Sequence, residues 1–293
     1  MPRPMIPRPI RKWTALKLEY LDYYLQAYVI ATRKAREIHY IDPFASCGEC
    51  IVVESGKIVQ GSPWRALNSV PQFSQYHFVE KRPMLAAYLR KSINEKGFEN
   101  AHVYSGDCNL VIPREILPII PRNVPCFAFL DPEGMQLDWE TVRALAKHRQ
   151  GWKVELLILY PYDMAVARQF SLINKRPSIS TRLTSFYGDE CWKHQLFESI
   201  DAEESTAKRR QRFVDLYTGN LRALGYKFVE VYGPFRANKR PLYHVVFASD
   251  SPVGAKIMHD VWAKPRYVPG ELFYRPVRRY DNDVDTVQRL PKP

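Results

Sequence analysis

Several common sequence patterns are missing from this chain of 293 residues. It has no apolar run of about 18 residues, the length that a transmembrane helix needs, so such a helix is excluded. The N-terminal stretch MPRPMIPRPIRKW is basic and proline-rich and has no apolar core, so we expect no signal peptide. Neither a GxGxxG motif nor a P-loop occurs, which argues against a standard NAD-dependent enzyme or NTPase.

Paired cysteines and metal-ligand spacings are also scarce. The 5 cysteines form an odd, scattered set, so we expect reduced thiols and a cytoplasmic protein. Cys47 and Cys50 have the spacing of a zinc or redox site, but no second ligand pair accompanies them, and we predict no metal. Cys126 follows Pro125 as in the nucleophile motif of cytosine C5 methylation. It starts a predicted strand, at the wrong end for a site, so we interpret it as a buried structural cysteine.

What the chain has in excess is positive charge at its two ends. The net charge is +12, of which residues 1–40 carry +5, residues 41–200 carry +1 and residues 201–293 carry +6. Basic flanks on a neutral centre suggest a polyanionic partner, with charge that serves only solubility as the alternative. Hydrophobic residues make up 46% and charged residues 25%, which excludes disorder of the whole chain.

Helical and strand patterns alternate through the central part of the sequence. Helices are predicted at about 15–34 (capped by Thr14), 63–70, 83–96, 139–148, 203–224 and 253–263. Strands are predicted at 38–41, 76–79, 102–105, 126–130, 154–160, 226–232 and 243–248. Apolar strands between helices indicate a parallel sheet covered on both faces, and the short link between the last two strands predicts an antiparallel hairpin.

The predicted fold is therefore a doubly wound α/β domain with a seven-stranded, mostly parallel sheet, an antiparallel C-terminal hairpin and an insertion after strand five. Seven strands with one antiparallel strand are the arrangement of class I methyltransferases, although the alternation alone suits many doubly wound folds. We expect a flexible basic arm over 1–13 and the main domain over 14–263. The insertion should occupy about 163–202, at the sheet edge, and a loop-like tail should follow over 264–293.

An acidic residue follows each of the first four strands. Asp42 precedes a loop of small residues that includes Phe44, Ala45 and Gly48. The later strand ends carry Glu80, then Asp107 with Cys108, then Asp131, Pro132, Glu133 and Gly134. Each alone is typical of a solvated strand end or a helix cap. Four in order predict a ligand site at the carboxyl edge of the sheet.

The residue types at this edge suit a nucleoside-containing ligand. A small-residue loop lets backbone approach the ligand closely, and a carboxylate after strand two can accept both hydroxyl hydrogens of a ribose. Asp107 could accept from an adenine amino group, and Asp131 with its neighbouring carbonyls would face the reacting atom. Such acceptors can position an amino group that attacks a methyl sulfonium and then take up its proton.

These stretches carry a resemblance to a known family. The chain resembles the TcmP family, the three-Cys-motif partner proteins, over about residues 14–263. The matching pieces are Thr14-Ala15-Leu16-Lys17-Leu18, Tyr40-Ile41-Asp42-Pro43-Phe44-Ala45, Gly61-Ser62-Pro63, Phe78-Val79-Glu80, Gly106-Asp107-Cys108-Asn109, Phe129-Leu130-Asp131-Pro132-Glu133-Gly134 and Val246-Phe247-Ala248-Ser249. The resemblance implies a methyltransferase-like fold, S-adenosylmethionine as cofactor and a two-protein modification system. The implied partner has three cysteines and is similar to radical-S-adenosylmethionine proteins.

Two positions depart from the methyltransferase-like pattern. Ser46 stands where the first loop glycine is usual, and a non-glycine residue resists positive φ there. The fourth motif is Asp-Pro-Glu-Gly, which lacks the aromatic residue that stacks on a flipped base. An Asp-Pro-x-Gly version occurs in tRNA guanine-amino methyltransferases, so an amino acceptor stays consistent with the motif.

Two groups of basic residues could contact nucleic-acid phosphates, although a solvated surface is the plain alternative. One begins the predicted helix at 203–224, and the other lies with aromatic residues on the final hairpin. The candidate contacts are Lys208, Arg209, Arg210, Arg212, Arg236, Lys239 and Arg240.

Three hypotheses follow from these observations. The first, which the sequence favours, is a methyltransferase that uses S-adenosylmethionine to modify an amino or ring nitrogen of a base in DNA or RNA. The second is a catalytically silent module that binds nucleic acid or recruits the three-cysteine partner, with no membrane association. The third is another enzyme on the same fold that acts on a small molecule or a protein.

Overall fold

A computed structural model describes residues 7–162, 166, 172–198, 205–237, 240–263, 266–268 and 271–274. The strands are β1 (Arg8–Ile10), β2 (His39–Asp42), β3 (Glu49–Val52), β4 (Ile58–Gln60), β5 (Gln75–Glu80), β6 (Ala101–Ser105), β7 (Cys126–Leu130), β8 (Glu155–Tyr160), β9 (Phe228–Ala237), β10 (Arg240–Ser249), β11 (Arg266–Val268) and β12 (Glu271–Tyr274). The helices are α1 (Lys12–Thr32), α2 (Ser62–Leu67), α3 (Pro83–Glu95), α4 (Cys108–Val111), α5 (Trp139–His148), α6 (Pro177–Tyr187), α7 (Cys191–Lys193), α8 (Thr206–Ala223) and α9 (Pro252–Ala263). Single turns of 3₁₀ or π helix lie at Ile112–Ile116, Leu117–Ile119, Ile173–Lys175 and His194–Glu198.

Seven strands form the central sheet in the order β6-β5-β2-β7-β8-β10-β9. The first five of these are mutually parallel, and β10 runs antiparallel to both β8 and β9. Every residue of β7 and β8 is buried, as expected for strands covered on both faces. The prediction of a doubly wound, seven-stranded, mostly parallel sheet with an antiparallel C-terminal hairpin is confirmed. The carboxyl ends of β2, β5, β6, β7 and β8 therefore meet at one edge.

The alternation of side chains along each strand divides the core into two clusters, one on each face. Tyr40 packs into the cluster beneath α1, α3 and α9, and the next residue, Ile41, packs into the cluster beneath α5, α6 and α8. In α1, Leu21, Tyr24 and Leu25 have no exposed area, so this helix is anchored along its middle. Their burial fixes α1 against the sheet and sets the position of the residues at its N-terminal end.

A second, three-stranded sheet was not predicted. It has the order β1-β3-β4, and β1 lies parallel to β3. The expectation of a flexible arm is thus wrong for residues 8–10, which are extended and paired, although the prolines there do exclude a helix. Helix α1 begins at Lys12 with Arg11 as its N-cap, so Thr14 lies within the helix and is not its cap.

The described part of the stretch at 163–202 lies over a face of the sheet. Helix α6 buries Phe186 and Tyr187, and the Phe186 ring lies 5.8 Å from that of Tyr160 on β8. The hydroxyls of Tyr160 and Tyr187 are 2.6 Å apart. Face packing replaces the edge position expected for this region.

Parts of several sequence predictions lie outside the described residues: positions 1–6 of the arm, 163–165, 167–171 and 199–202 of the insertion, 203–204 of the next helix, Lys239, and 264–265, 269–270 and 275–293 of the tail. The tail was expected to be loop-like from 264, but residues 266–268 and 271–274 form an antiparallel pair of short strands. No helix within the described residues is both long and apolar enough to span a membrane.

Candidate cofactor site

A cleft of about 570 Å³ opens at the carboxyl edge of β2, β5 and β6. Of the predicted site residues it is lined by Phe44, Glu80, Asp107, Cys108 and Glu133. The cleft thus brings together both predicted residues after β6, the one after β5 and one residue each from the first and fourth motifs, whereas Asp42, Ala45 and Gly48 do not line it. Residues that the sequence did not suggest, among them Arg8, Lys81, Arg82, Asn109 and Arg182, complete its walls.

Glu80 at the end of β5 is buried and held in one orientation. Its Oε1 accepts hydrogen bonds from the backbone N–H and the Nε of Arg82, at 2.8 and 2.9 Å. Among the described residues, no hydrogen bond to its other oxygen is recorded. A buried carboxylate that is fixed through one oxygen and lines a cleft suits recognition of a ribose diol.

Asp107 after β6 has a similar local arrangement. It is the N-cap of α4, where its Oδ1 accepts from the Asn109 amide at 3.0 Å, and its Oδ2 accepts from Lys81 at 2.8 Å. Partial burial raises the pKa of its carboxyl, but the bonds from Lys81 and Asn109 outweigh burial and hold the pKa below the usual value. Burial raises the pKa of the neighbouring Cys108 thiol to about 12, so that side chain is neutral.

The loop after β2 adopts a conformation that the sequence did not lead us to expect. Ser46 has a φ of 55°, the left-handed region that favours glycine, and Gly48 has a φ of 81°. A Cβ on Gly48 would lie 2.8 Å from Nε1 of Trp64, so only glycine fits there. Ser46 thus adopts a backbone conformation that favours glycine, the residue that the methyltransferase-like pattern has at this position.

Two buried polar groups flank this loop. The Ser46 hydroxyl has no hydrogen-bond partner among the described residues, and Ser46 lines the cleft. Burial raises the pKa of the Asp42 carboxyl to about 7, although the Ser62 hydroxyl and the Phe44 amide stabilise its ionised form. A polar group of a bound ligand could supply the hydrogen bond that the buried Ser46 hydroxyl lacks among the described residues.

Asp131 does not line the main cleft. Its carboxylate is paired with the ammonium group of Lys17, which lies 114 residues earlier in the chain, on α1. Burial lowers the pKa of Lys17, and the charge of Asp131 opposes that effect. Both side chains line a separate cavity of about 20 Å³ next to Ala45 and Gly48.

The rest of the fourth motif divides between core and surface. Pro132 is buried and Gly134 half-buried, and neither lines a described cavity. Glu133 is exposed, lines the cleft and pairs with Arg8 of β1 at 3.0 Å. The N-terminal segment thus contacts this motif twice, through Arg8 and through Lys17.

The predicted nucleic-acid contacts lie away from the cleft. Lys208–Arg212 occupy the first turns of α8, where Arg210 covers the Tyr162 ring at 5.1 Å and Arg212 donates to the Gln195 carbonyl at 3.3 Å. Arg210 and the exposed Arg236 both act on His244. Burial and then these two cations lower the pKa of His244 to about 3. Lys239 lies outside the described residues, and Arg240 is described only as part of β10.

Four of the five cysteines are buried thiols, and Cys191 is exposed. Cys47, Cys50, Cys108 and Cys126 are free and buried, and burial raises the pKa of Cys126 to about 12. Within the described ranges, no group of three or more His, Cys, Asp or Glu side chains is arranged to hold a metal ion. Cys126 stands at the start of β7, at the edge opposite the cleft, in agreement with its interpretation as a structural residue.

The site residues that sequence reasoning missed are the cations. Lys81 and Arg82 directly follow Glu80, so their nearness to the cleft was open to inference from the chain itself. Lys17 and Arg8 gave no such signal, because their partners are more than 100 residues away and depend on how α1 and β1 pack.

Comparison with known proteins adds likeness of fold alone. No family model matches the chain, and no curated protein matches it. Among solved structures, an rRNA methylase from Streptococcus thermophilus is 11% identical over 85% of this chain and 100% of its own, with a TM-score of 0.40. A SAM-dependent methyltransferase from Aquifex aeolicus is 12% identical over 80% and 98%, with a TM-score of 0.37. Spermidine synthase from Thermotoga maritima is 10% identical over 82% and 62%, with a TM-score of 0.41. Such low values assign this chain no substrate or reaction.

Proposed function

We propose that the cleft binds S-adenosylmethionine and that the chain is a methyltransferase. The observation that carries the proposal is the pair Glu80 and Asp107. Both carboxylates accept hydrogen bonds that hold them in place, and both line one cleft of about 570 Å³ next to the loop that contains Ser46 and Gly48. When bound, the cofactor supplies an electrophilic methyl group. Glu80 would accept from the ribose hydroxyls, Asp107 would accept from the adenine amino group, and Ser46 would bond to the polar methionine end.

The proposed acceptor is an amino or ring nitrogen of a base in DNA or RNA. Support comes from the net charge of +12, concentrated at the chain ends, and from the convergence of Arg210 and Arg236 on His244, which pairs with the last residue of β8. A carboxylate at Asp131 suits an N–H acceptor, since it can orient the nitrogen and then take its proton. Membership of the TcmP family, with a three-cysteine partner similar to radical-S-adenosylmethionine proteins, belongs to the same proposal and rests on the motif resemblance.

One observation favours the second candidate, a catalytically silent module. Asp131 is already neutralised by Lys17, and the cavity at that pair has room for a water molecule and nothing larger. In that case the cleft would serve ligand binding or partner recruitment, without methyl transfer.

The test is calorimetric titration of S-adenosylmethionine and S-adenosylhomocysteine into the purified chain. We expect micromolar binding that Glu80→Gln weakens by about tenfold or more, since a hydrogen bond to a charged group contributes about 1.5–3 kcal/mol. Glu95→Gln, at an exposed position on α3, is the matched control and should bind as the wild type does. Equal binding by both variants, or none by the wild type, would refute the cofactor site.

Methyl transfer is then measured with labelled cofactor on DNA and on RNA. Transfer that Asp131→Asn abolishes supports the methyltransferase. Cofactor binding without transfer to either nucleic acid, with the three-cysteine partner present as well as absent, supports the silent module.

A further inference from the structure

The N-terminal segment covers the Asp131 carboxylate. We call residues 8–18 the latch; they comprise β1 and the first turns of α1. The 20 Å³ cavity at Asp131 is bounded on one side by the latch and on the other by the loop after β2. The latch residues that line it are Arg8, Ile10, Thr14, Lys17 and Leu18. That volume holds about one water molecule, and a nucleobase is many times larger.

Three ion pairs hold the latch on the body of the protein. Arg8 pairs with Glu133 at 3.0 Å, Arg11 pairs with Glu54 at 3.5 Å, and Lys17 pairs with Asp131. Two of the three partners belong to the Asp-Pro-Glu-Gly motif. The latch is therefore fastened both to the carboxylate that it covers, Asp131, and to the exposed Glu133 beside it.

Among its described side chains, the latch has little apolar packing beside the rest of α1. Strand β1 pairs with β3 over three residues, and Ile10 packs in a small satellite cluster with Cys50 and Val52. Leu18, the last latch residue, already packs in the main core, and from Leu21 onwards several side chains of α1 have no exposed area. Among the described side chains of residues 8–17, Ile10 is the one that is both apolar and buried, so this part of the latch can open while α1 stays folded from Leu18 onwards.

We propose that the latch must open before an acceptor base can reach Asp131. This step rests on the proposed function, since it assigns Asp131 to methyl transfer, but the opening itself does not depend on that assignment. Glu80 and Asp107 lie outside the cavity that the latch covers, so the closed latch leaves both carboxylates open to a cofactor. Arg8 lines both the cleft and the cavity, and the disulfide test of the latch therefore compares two forms that both lack it.

Opening can be measured without any activity, because the thiol of Cys50 is a native reporter. Cys50 lies beneath the latch, opposite Arg8 in the β1–β3 register, and is 7% exposed. Thiol-labelling rates are read by peptide mass spectrometry in a Cys191→Ser background, which removes the exposed cysteine. Cys126, with no exposed area, reports opening of the core.

We expect Cys50 to react at least tenfold faster than Cys126, and Arg8→Ala to increase the Cys50 rate several-fold while leaving the Cys126 rate unchanged. Arg143→Ala, which removes an exposed ion pair on α5, is the control and should change neither rate. Labelling of Cys50 and Cys126 at one common rate in all variants would mean that the latch opens only with the whole fold, and would overturn the proposal.

A disulfide that holds the latch closed tests whether opening is needed for methyl transfer. The register places position 8 opposite Cys50, so Arg8→Cys brings two thiols within disulfide reach, and its reduced form is the matched control. We expect the oxidised form to bind S-adenosylhomocysteine as the reduced form does, and to lose at least nine-tenths of its methyl transfer to nucleic acid until reductant is added.

Equal methyl transfer by the oxidised and reduced forms would overturn the proposal that the latch must open before an acceptor base reaches Asp131. If neither form binds the cofactor, the proposed function fails. The labelling rates then decide alone whether the latch opens.

Discussion

The two halves of the sheet's carboxyl edge hold their acidic side chains in different ways. At the ends of β5 and β6, Glu80 and Asp107 take partners that lie next to them or nearby across the cleft, and they keep an open face. At the end of β7, Asp131 and Glu133 take partners from the N-terminal segment and are covered or bridged by it. The acidic side chains of the cofactor half thus take partners from at most 26 residues away, whereas Asp131 in the acceptor half takes a partner 114 residues away.

The largest effect that separates the two halves is expected for Lys17→Met. It leaves the Asp131 carboxylate buried without its cation, and breaking a buried ion pair costs about 3–5 kcal/mol. Urea unfolding followed by circular dichroism measures the loss. Adding Asp131→Asn removes the uncompensated charge and should restore part of the stability. A double variant as unstable as the single one would show that Lys17 acts through packing.

The next effect concerns Asp42 in the cofactor half. Its pKa is about 7 when folded, against an ordinary value of 3.8, so between these values the folded chain keeps a proton that the unfolded chain releases. The free energy of unfolding therefore falls as the pH rises from about 4 to 7, by on the order of 3 kcal/mol. Urea unfolding at pH 4.5 and 7.5 should show that Asp42→Asn removes this contribution. If the free energy of unfolding of the variant still falls by the same amount between these two pH values, other groups are responsible for the fall.

A smaller effect is expected for Ser46→Gly, which places glycine at a left-handed backbone position in the loop of the cofactor half. A left-handed backbone conformation costs a non-glycine residue about 1–2 kcal/mol. Glycine also gives the unfolded chain more conformational freedom, which lowers the stability gained by about 0.5–1 kcal/mol. We expect a net gain of about 0.5–1 kcal/mol in thermal unfolding. Ser55→Gly, at an exposed turn position with ordinary φ, is the control and should lose stability. A loss at Ser46 would show that its side chain matters more than its backbone.

The smallest effect is expected for Arg11→Ala in the latch. The Arg11–Glu54 pair is partly exposed at 3.5 Å, so its removal should cost under about 0.5 kcal/mol of global stability. The same variant should nevertheless speed latch opening, measured by hydrogen exchange of the amides of residues 8–14. Faster exchange throughout α1 would mean that the latch and the helix open as one unit.

The fold was predictable because its signals are short-range. Continuous apolar strands such as Cys126–Leu130, and Gly97 and Gly225 after two helices, mark the elements within a few residues. The short link between β9 and β10 also decides their direction. The order of the acidic strand ends placed Glu80 and Asp107 correctly beside one cleft.

What could not be predicted depends on contacts between distant residues. The pairing of Arg8–Ile10 with Glu49–Val52 has no local signature, because three residues containing a proline are compatible with an extended arm or a strand. The covering of Asp131 by Lys17 likewise arises from how α1 crosses the sheet. The conformation of Ser46 could not be predicted either, because the surrounding fold imposes a left-handed backbone that a serine itself disfavours.

The Lys17–Asp131 pair also has a consequence for how the chain is made. Lys17 leaves the ribosome 114 residues before its counter-ion, so a nascent chain carries that cation unmatched until β7 has been synthesised. Contacts of such wide sequence separation form late in folding. The segment around Lys17 is therefore among the last to settle, and cotranslational binding by a chaperone or an early partner has a long opportunity there.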